Sequence, residues 1–178
     1  MSETTFHRSR AVVRAILLGG ALAAIFDAID AVVAYKLVLG IDPIAIYQFV
    51  ASGMLGPSAF GGGIATALVG VAVHLSVAFG ASAVFVAAST RMPQLARAYT
   101  VSGPLFGVAV WAVMNLVVIP LSRTPASPFS LPLFLNGVLG HVVFVGLPIA
   151  YAAHRYLSSE ERSPAVCTHP IGGESANG

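Results

Sequence analysis

Charge is scarce in this chain: Lys, Arg, Asp and Glu make up 9% of its 178 residues, whereas a soluble domain carries about one quarter. That scarcity excludes a water-solvated surface of ordinary size. Cysteine is reduced to Cys167, which rules out an intramolecular disulfide, a CxxC metal site and a redox pair. In its polar surroundings Cys167 reads as a free thiol. No HExxH is present, and Ser52, Ser58 and Ser130 have no GxSxG context, so the signatures of a zinc protease and of a serine hydrolase are both missing. Gly61-Gly62-Gly63 is not followed by GK[ST], which leaves a phosphate loop without support. No internal repeat is evident.

What is present is apolar, at 57% of the residues. Ala59–Ser89 holds no Lys, Arg, Asp or Glu, and about 30 residues of helix are enough to cross a hydrocarbon core of roughly 30 Å. Near its centre lies His74. An ionisable residue at that depth is costly unless it faces protein, water or a ligand, so the remaining spans should supply its partners.

The pattern predicts an all-α integral membrane four-helix bundle with a short interfacial or re-entrant helix between spans 1 and 2. Met1–Arg14 reads as a polar cytoplasmic leader, and the first span covers about 12–39, with Asp27 and Asp30 inside it and Lys36 free to snorkel at its far end. A cleaved signal peptide is the competing reading of this basic start; cleavage near 28–31 would fall beside Asp27 or Asp30, and the apolar pattern continues to Leu39. Asp42-Pro43 resembles an N-cap followed by a first-turn proline, so the interfacial helix should run about 43–55.

The second span is expected at 62–89. Thr90–Thr100 reads as a polar loop, and the third span, 102–121, has Pro104 in its first turn. The fourth, 133–156, contains His141 and Pro148, and a proline that deep should distort the helix. Residues 157–178 are rich in Gly, Pro and Ser and read as a disordered cytoplasmic tail. Gly103-xxx-Gly107 and Ser76-xxx-Gly80 are spacings that allow close helix contact.

Four spans place both termini on one side. All Lys and Arg except Lys36 and Arg123 then share that side, which the positive-inside rule assigns to the cytoplasm of a bacterial inner membrane. This distribution explains the net charge of +2 as membrane orientation, and nucleic acid is not an expected partner; the expected partners are the lipid bilayer and a second copy of the chain.

Depth follows from counting along each helix from its cytoplasmic arginine at ~1.5 Å per residue. Asp27 lies about 20 Å in, Asp30 about 24 Å, His74 about 26 Å, Asn115 about 27 Å and His141 about 21 Å. The five form one expected midplane layer, a candidate substrate- or proton-binding site, since Asp and His chains can relay protons. The structural alternative is that they hold the helices together by hydrogen bonds. No cofactor is the leading expectation. A haem held by His74 and His141, or a metal bound by His74, His141 and Asp27, is the redox alternative, and a non-catalytic scaffold is the third.

The order of stretches YQFVASGMLGPSAFGGG, VHLSVAF, VWAVMNLVVIPLSR and GHVVFVGLPIA resembles a family of small bacterial inner-membrane proteins, broadly of the YagU-like type, over roughly residues 11–156. The resemblance implies a polytopic inner-membrane protein, and a link to acid tolerance. It supplies no catalytic residues.

Overall fold

The structure is a computed structural model that describes residues 3–158, so the expected tail from residue 159 onward, with Cys167, lies outside the described residues. Every regular element among them is helical. Helix α1 runs Glu3–Leu39, α2 runs Pro43–Leu55, and a 3-10 turn over Gly56–Gly61 leads into α3, Gly63–Arg91. Helix α4, Pro93–Arg97, connects to α5, Tyr99–Leu121, and α6 is Leu131–Leu157. Four helices, α1 from His7 onward, α3, α5 and α6, are long and apolar enough to cross a membrane.

Three boundaries differ from the sequence expectation. The polar leader is itself helical from Glu3, because Met1–Arg14 contains neither Gly nor Pro and nothing interrupts the ladder. Part of the expected 90–100 loop is the short helix α4, opened by Pro93 in its first turn, where a missing N–H costs nothing. Pro104 lies inside α5 and not in its first turn, since that helix already begins at Tyr99.

The two deep prolines act through their neighbours. Pro148 offers no N–H to the carbonyl of Phe144, and Pro120 none to that of Leu116. Around those carbonyls the chain widens into π turns, His141–Gly146 in α6 and Met114–Val118 in α5. A π turn inserts one extra residue and re-aims the side chains on either side. His141 and Asn115 both lie in these turns.

Helix α1 packs along α3 and α6, α6 also packs along α5, and α2 lies against α3. The core between them is built from small side chains with a few large ones, notably Ala15, Ala23, Phe85, Val86, Val145 and Ile149. Where apolar surface is matched by apolar lipid, helix association depends on close contact and interhelical hydrogen bonds. Both are present. A Cβ on Gly107 would strike the His141 backbone, and one on Gly146 would strike Gly103 O, so α5 and α6 touch at backbone distance. Ser82 Oγ donates to Ile16 O across α3 and α1 at 3.0 Å.

Ser76-xxx-Gly80 does not share this role: Ser76 is exposed and nothing stands within 4 Å of a Cβ on Gly80. That spacing lies on an outer face.

Helix α2 is tied to α3 from its own buried polar residue. Gln48, 6% exposed, donates through Nε2 to Gly63 O at 3.0 Å, and Gly70 lets Tyr47 O approach the α3 backbone. This docking sets Tyr47 beside His74. The Asp42 carboxylate does not cap α2; it accepts instead from Lys36 Nζ at 2.7 Å, closing the α1–α2 turn at Gly40, whose φ of +67° suits glycine.

Candidate functional site

Asp27 is the centre of the cluster. Ala24, Asp27 and Asp30 recur every three residues on α1 and therefore share a face. One Asp27 oxygen stands 3.9 Å from His74 Nδ1 and the other 3.8 Å from His141 Nδ1. A single carboxylate is thus bracketed by imidazoles from α3 and α6. All three side chains are about one-fifth exposed, so the cluster is screened but not sealed.

Each imidazole is anchored by a backbone carbonyl. His74 Nε2 is 3.0 Å from Ala24 O on α1, and His141 Nδ1 is 2.9 Å from Gly137 O, one turn back on its own helix. A carbonyl oxygen only accepts, so both of those ring nitrogens carry hydrogen and donate.

Of the five residues expected in one midplane layer, Asp27, His74 and His141 come together. Asp30 is nearby but separately held, its Oδ2 accepting from Asn136 Nδ2 at 2.8 Å. Gly140 makes room for it, since a Cβ there would come within 2.5 Å of that oxygen. Asn115 does not join the carboxylates; its Nδ2 donates to Trp111 O in the preceding turn, at 2.9 Å. The third span contributes Trp111 instead, whose indole packs against Gly137, the residue that anchors His141.

Two members escaped the sequence reading. Asn136 lies five residues before His141, about 140° away around a regular α-helix; its side chain reaches Asp30 while that of His141 reaches Asp27, so the two flank α1 separately. Tyr47, on α2, is the other: its ring meets that of His74 edge-on with centroids 6.3 Å apart. Burial, and then the Asp27 charge, push the Tyr47 phenol above its ordinary range.

The cofactor alternatives meet this geometry poorly. Haem ligation needs a free nitrogen on each histidine aimed across an iron, but His74 directs Nε2 at a carbonyl and Nδ1 at Asp27. Among the described residues no three His, Cys, Asp or Glu side chains are placed to hold a metal ion. The set His74, His141 and Asp27 is accordingly a carboxylate set between two imidazoles.

A cavity of about 300 Å³ lies elsewhere, between Arg8, Ser89 and Leu157 at the arginine-rich end. Ser89 is 15 residues along α3 from His74, or roughly 22 Å, so that cavity is not part of the cluster. Comparison with protein-family models, with curated proteins and with solved structures finds no match to this chain.

Proposed function

We propose that this chain is a bacterial inner-membrane protein with both termini cytoplasmic, acting as a small transporter or proton-responsive protein through Asp27, His74 and His141. The observation that supports this reading is one carboxylate held between two imidazoles, each of which reaches it with Nδ1. Ionisable groups inside a membrane bundle are costly and usually serve transport or proton transfer. Hydrogen bonding between helices would need only one such pair, and Asp30 with Asn136 already provides it.

In this reading a proton arriving from water converts the Asp27–His74 pair from an anion beside a neutral ring to an ion pair. The change in net charge alters which helix arrangement is favoured around α1. The four apolar helices, the arginine distribution and the YagU-like resemblance agree on the setting. A second copy of the chain would enlarge a conduction path that one small bundle leaves narrow.

The test is reconstitution into vesicles carrying a pH gradient. The wild type should dissipate the gradient, and Asp27→Asn and His74→Gln should each abolish that flux while retaining a folded helical spectrum. Absence of flux in the wild type, with no effect of either variant on pH-dependent behaviour, would remove the proposal.

A further inference from the structure

We infer that the cluster takes up one proton at Nδ1 of His74, and that its two histidines are held in opposite neutral tautomers, so that the ion recognised is H⁺ and not a metal cation. This rests on the functional reading above and names the ion that it concerns.

The tautomers follow from the carbonyls. In neutral His74 the hydrogen is on Nε2, facing Ala24 O, and Nδ1 presents its lone pair to Asp27. In neutral His141 the hydrogen is on Nδ1, facing Gly137 O, and the lone pair is on Nε2. Ionised Asp27 therefore meets a donor on one side and a lone pair on the other. Between His74 and Asp27 two acceptors face each other with no hydrogen between them.

One proton resolves that conflict. It leaves hydronium or an acid in the adjoining water and forms an N–H bond at His74 Nδ1, giving an imidazolium opposite a carboxylate; no electron is transferred. The 3.9 Å separation leaves room for the ring and carboxylate to close into a charge-assisted hydrogen bond of about 2.8 Å.

The same geometry disfavours a hard cation. Calcium takes six to eight oxygen ligands, and magnesium needs near-octahedral oxygen coordination. Here Ala24 O and Gly137 O already receive ring N–H groups, and Asp30 Oδ2 receives Asn136. Asp27 is left as the one carboxylate facing two nitrogen rings. The other titratable neighbours are Asp30 on α1, Tyr47 on α2 and His141 on α6, while α5 presents Trp111 and Asn115, neither of which titrates.

The experiment is nitrogen-15 NMR of the full chain, histidine-labelled, in lipid bilayers across a pH series. His74→Gln and His141→Gln assign the signals by their loss. Carbon–nitrogen correlation in the wild type assigns them independently should a variant fail to fold. The expected result is a downfield, non-protonated resonance for Nδ1 in His74 and for Nε2 in His141, with His74 Nδ1 moving upfield on acidification. Asp27→Asn should retain both neutral tautomers, since the carbonyls that set them, Ala24 O and Gly137 O, are untouched. Exchange of choline for sodium, or addition of magnesium, should leave the spectra unchanged.

The same neutral tautomer in both rings, Nδ1–H in neutral His74, or a sodium- or magnesium-dependent shift would overturn the inference. The predicted spectra in a chain that supports no flux would instead count against the transporter and leave proton binding standing.

Discussion

Gly140 has no side chain where Asp30 needs the space. A methyl group there would come within 2.5 Å of Asp30 Oδ2, so Gly140→Ala should turn the carboxylate away from Asn136. Alanine ordinarily gains up to about 1 kcal/mol over glycine in a helix. Losing a hydrogen bond to a charged group costs roughly 1.5–3 kcal/mol, and the net expectation is a lower melting temperature in detergent. Asn136→Ala should show a similar loss, and combining the two should add little, because both remove one bond.

A second residue-scale expectation concerns pH. The hydrogen bond from Lys36, and then its charge, hold the Asp42 carboxyl below its ordinary value of 3.8. A depressed carboxyl stabilises the fold above that ordinary value, and the contribution is lost as pH falls through the lowered one. Wild type should therefore lose its advantage over Asp42→Asn on acidification below 3.8. The pair is exposed, so the difference in melting temperature should be small and should disappear in high salt.

At the scale of elements, the contact of α5 with α6 can be tested against an internal control. A Cβ on Gly107 meets the His141 backbone, which cannot move aside as a flexible side chain can, while one on Gly80 meets nothing. Gly80→Ala should be neutral or stabilising by up to about 1 kcal/mol. Gly107→Ala should destabilise by about 1–3 kcal/mol, the range for overpacking, and should also disturb His141. Thermal unfolding in detergent, together with the histidine NMR signals, checks both parts. Equal effects at the two glycines would mean that α5 and α6 are not in close contact.

The whole molecule has one directional consequence. The proposed cytoplasmic placement of both termini predicts that the natural single cysteine, Cys167, reacts with a membrane-impermeant maleimide only after cells are permeabilised. A cysteine introduced in the 122–130 connection, on a Cys167→Ser background, should react in intact spheroplasts. The reverse pattern would invert the orientation without altering the bundle.

Much of this architecture is readable from composition. Long runs without charge have few alternatives to spanning helices once backbone groups must be satisfied in lipid, and Asp42-Pro43 together with Gly40 marks the start of α2 within the same residues that the structure shows. Counting depth from the arginines also brought Asp27, His74 and His141 to one level, because an α-helix has a fixed rise per residue. Counting gives no rotation about the helix axis. Asn115 falls at the same count along its helix yet bonds within that helix, and Asn136 turns toward Asp30 from a regular stretch of α6 that precedes the π turn. Ser76-xxx-Gly80 and Gly103-xxx-Gly107 are the same spacing, and neighbours alone decide that the second is an interface. Length, polarity and charge along the chain thus determined that four apolar helices exist and where along each of them its polar residues fall. Which ring nitrogen of each histidine faces Asp27 depends on carbonyls supplied by α1 and α6, and only the tertiary structure could decide it.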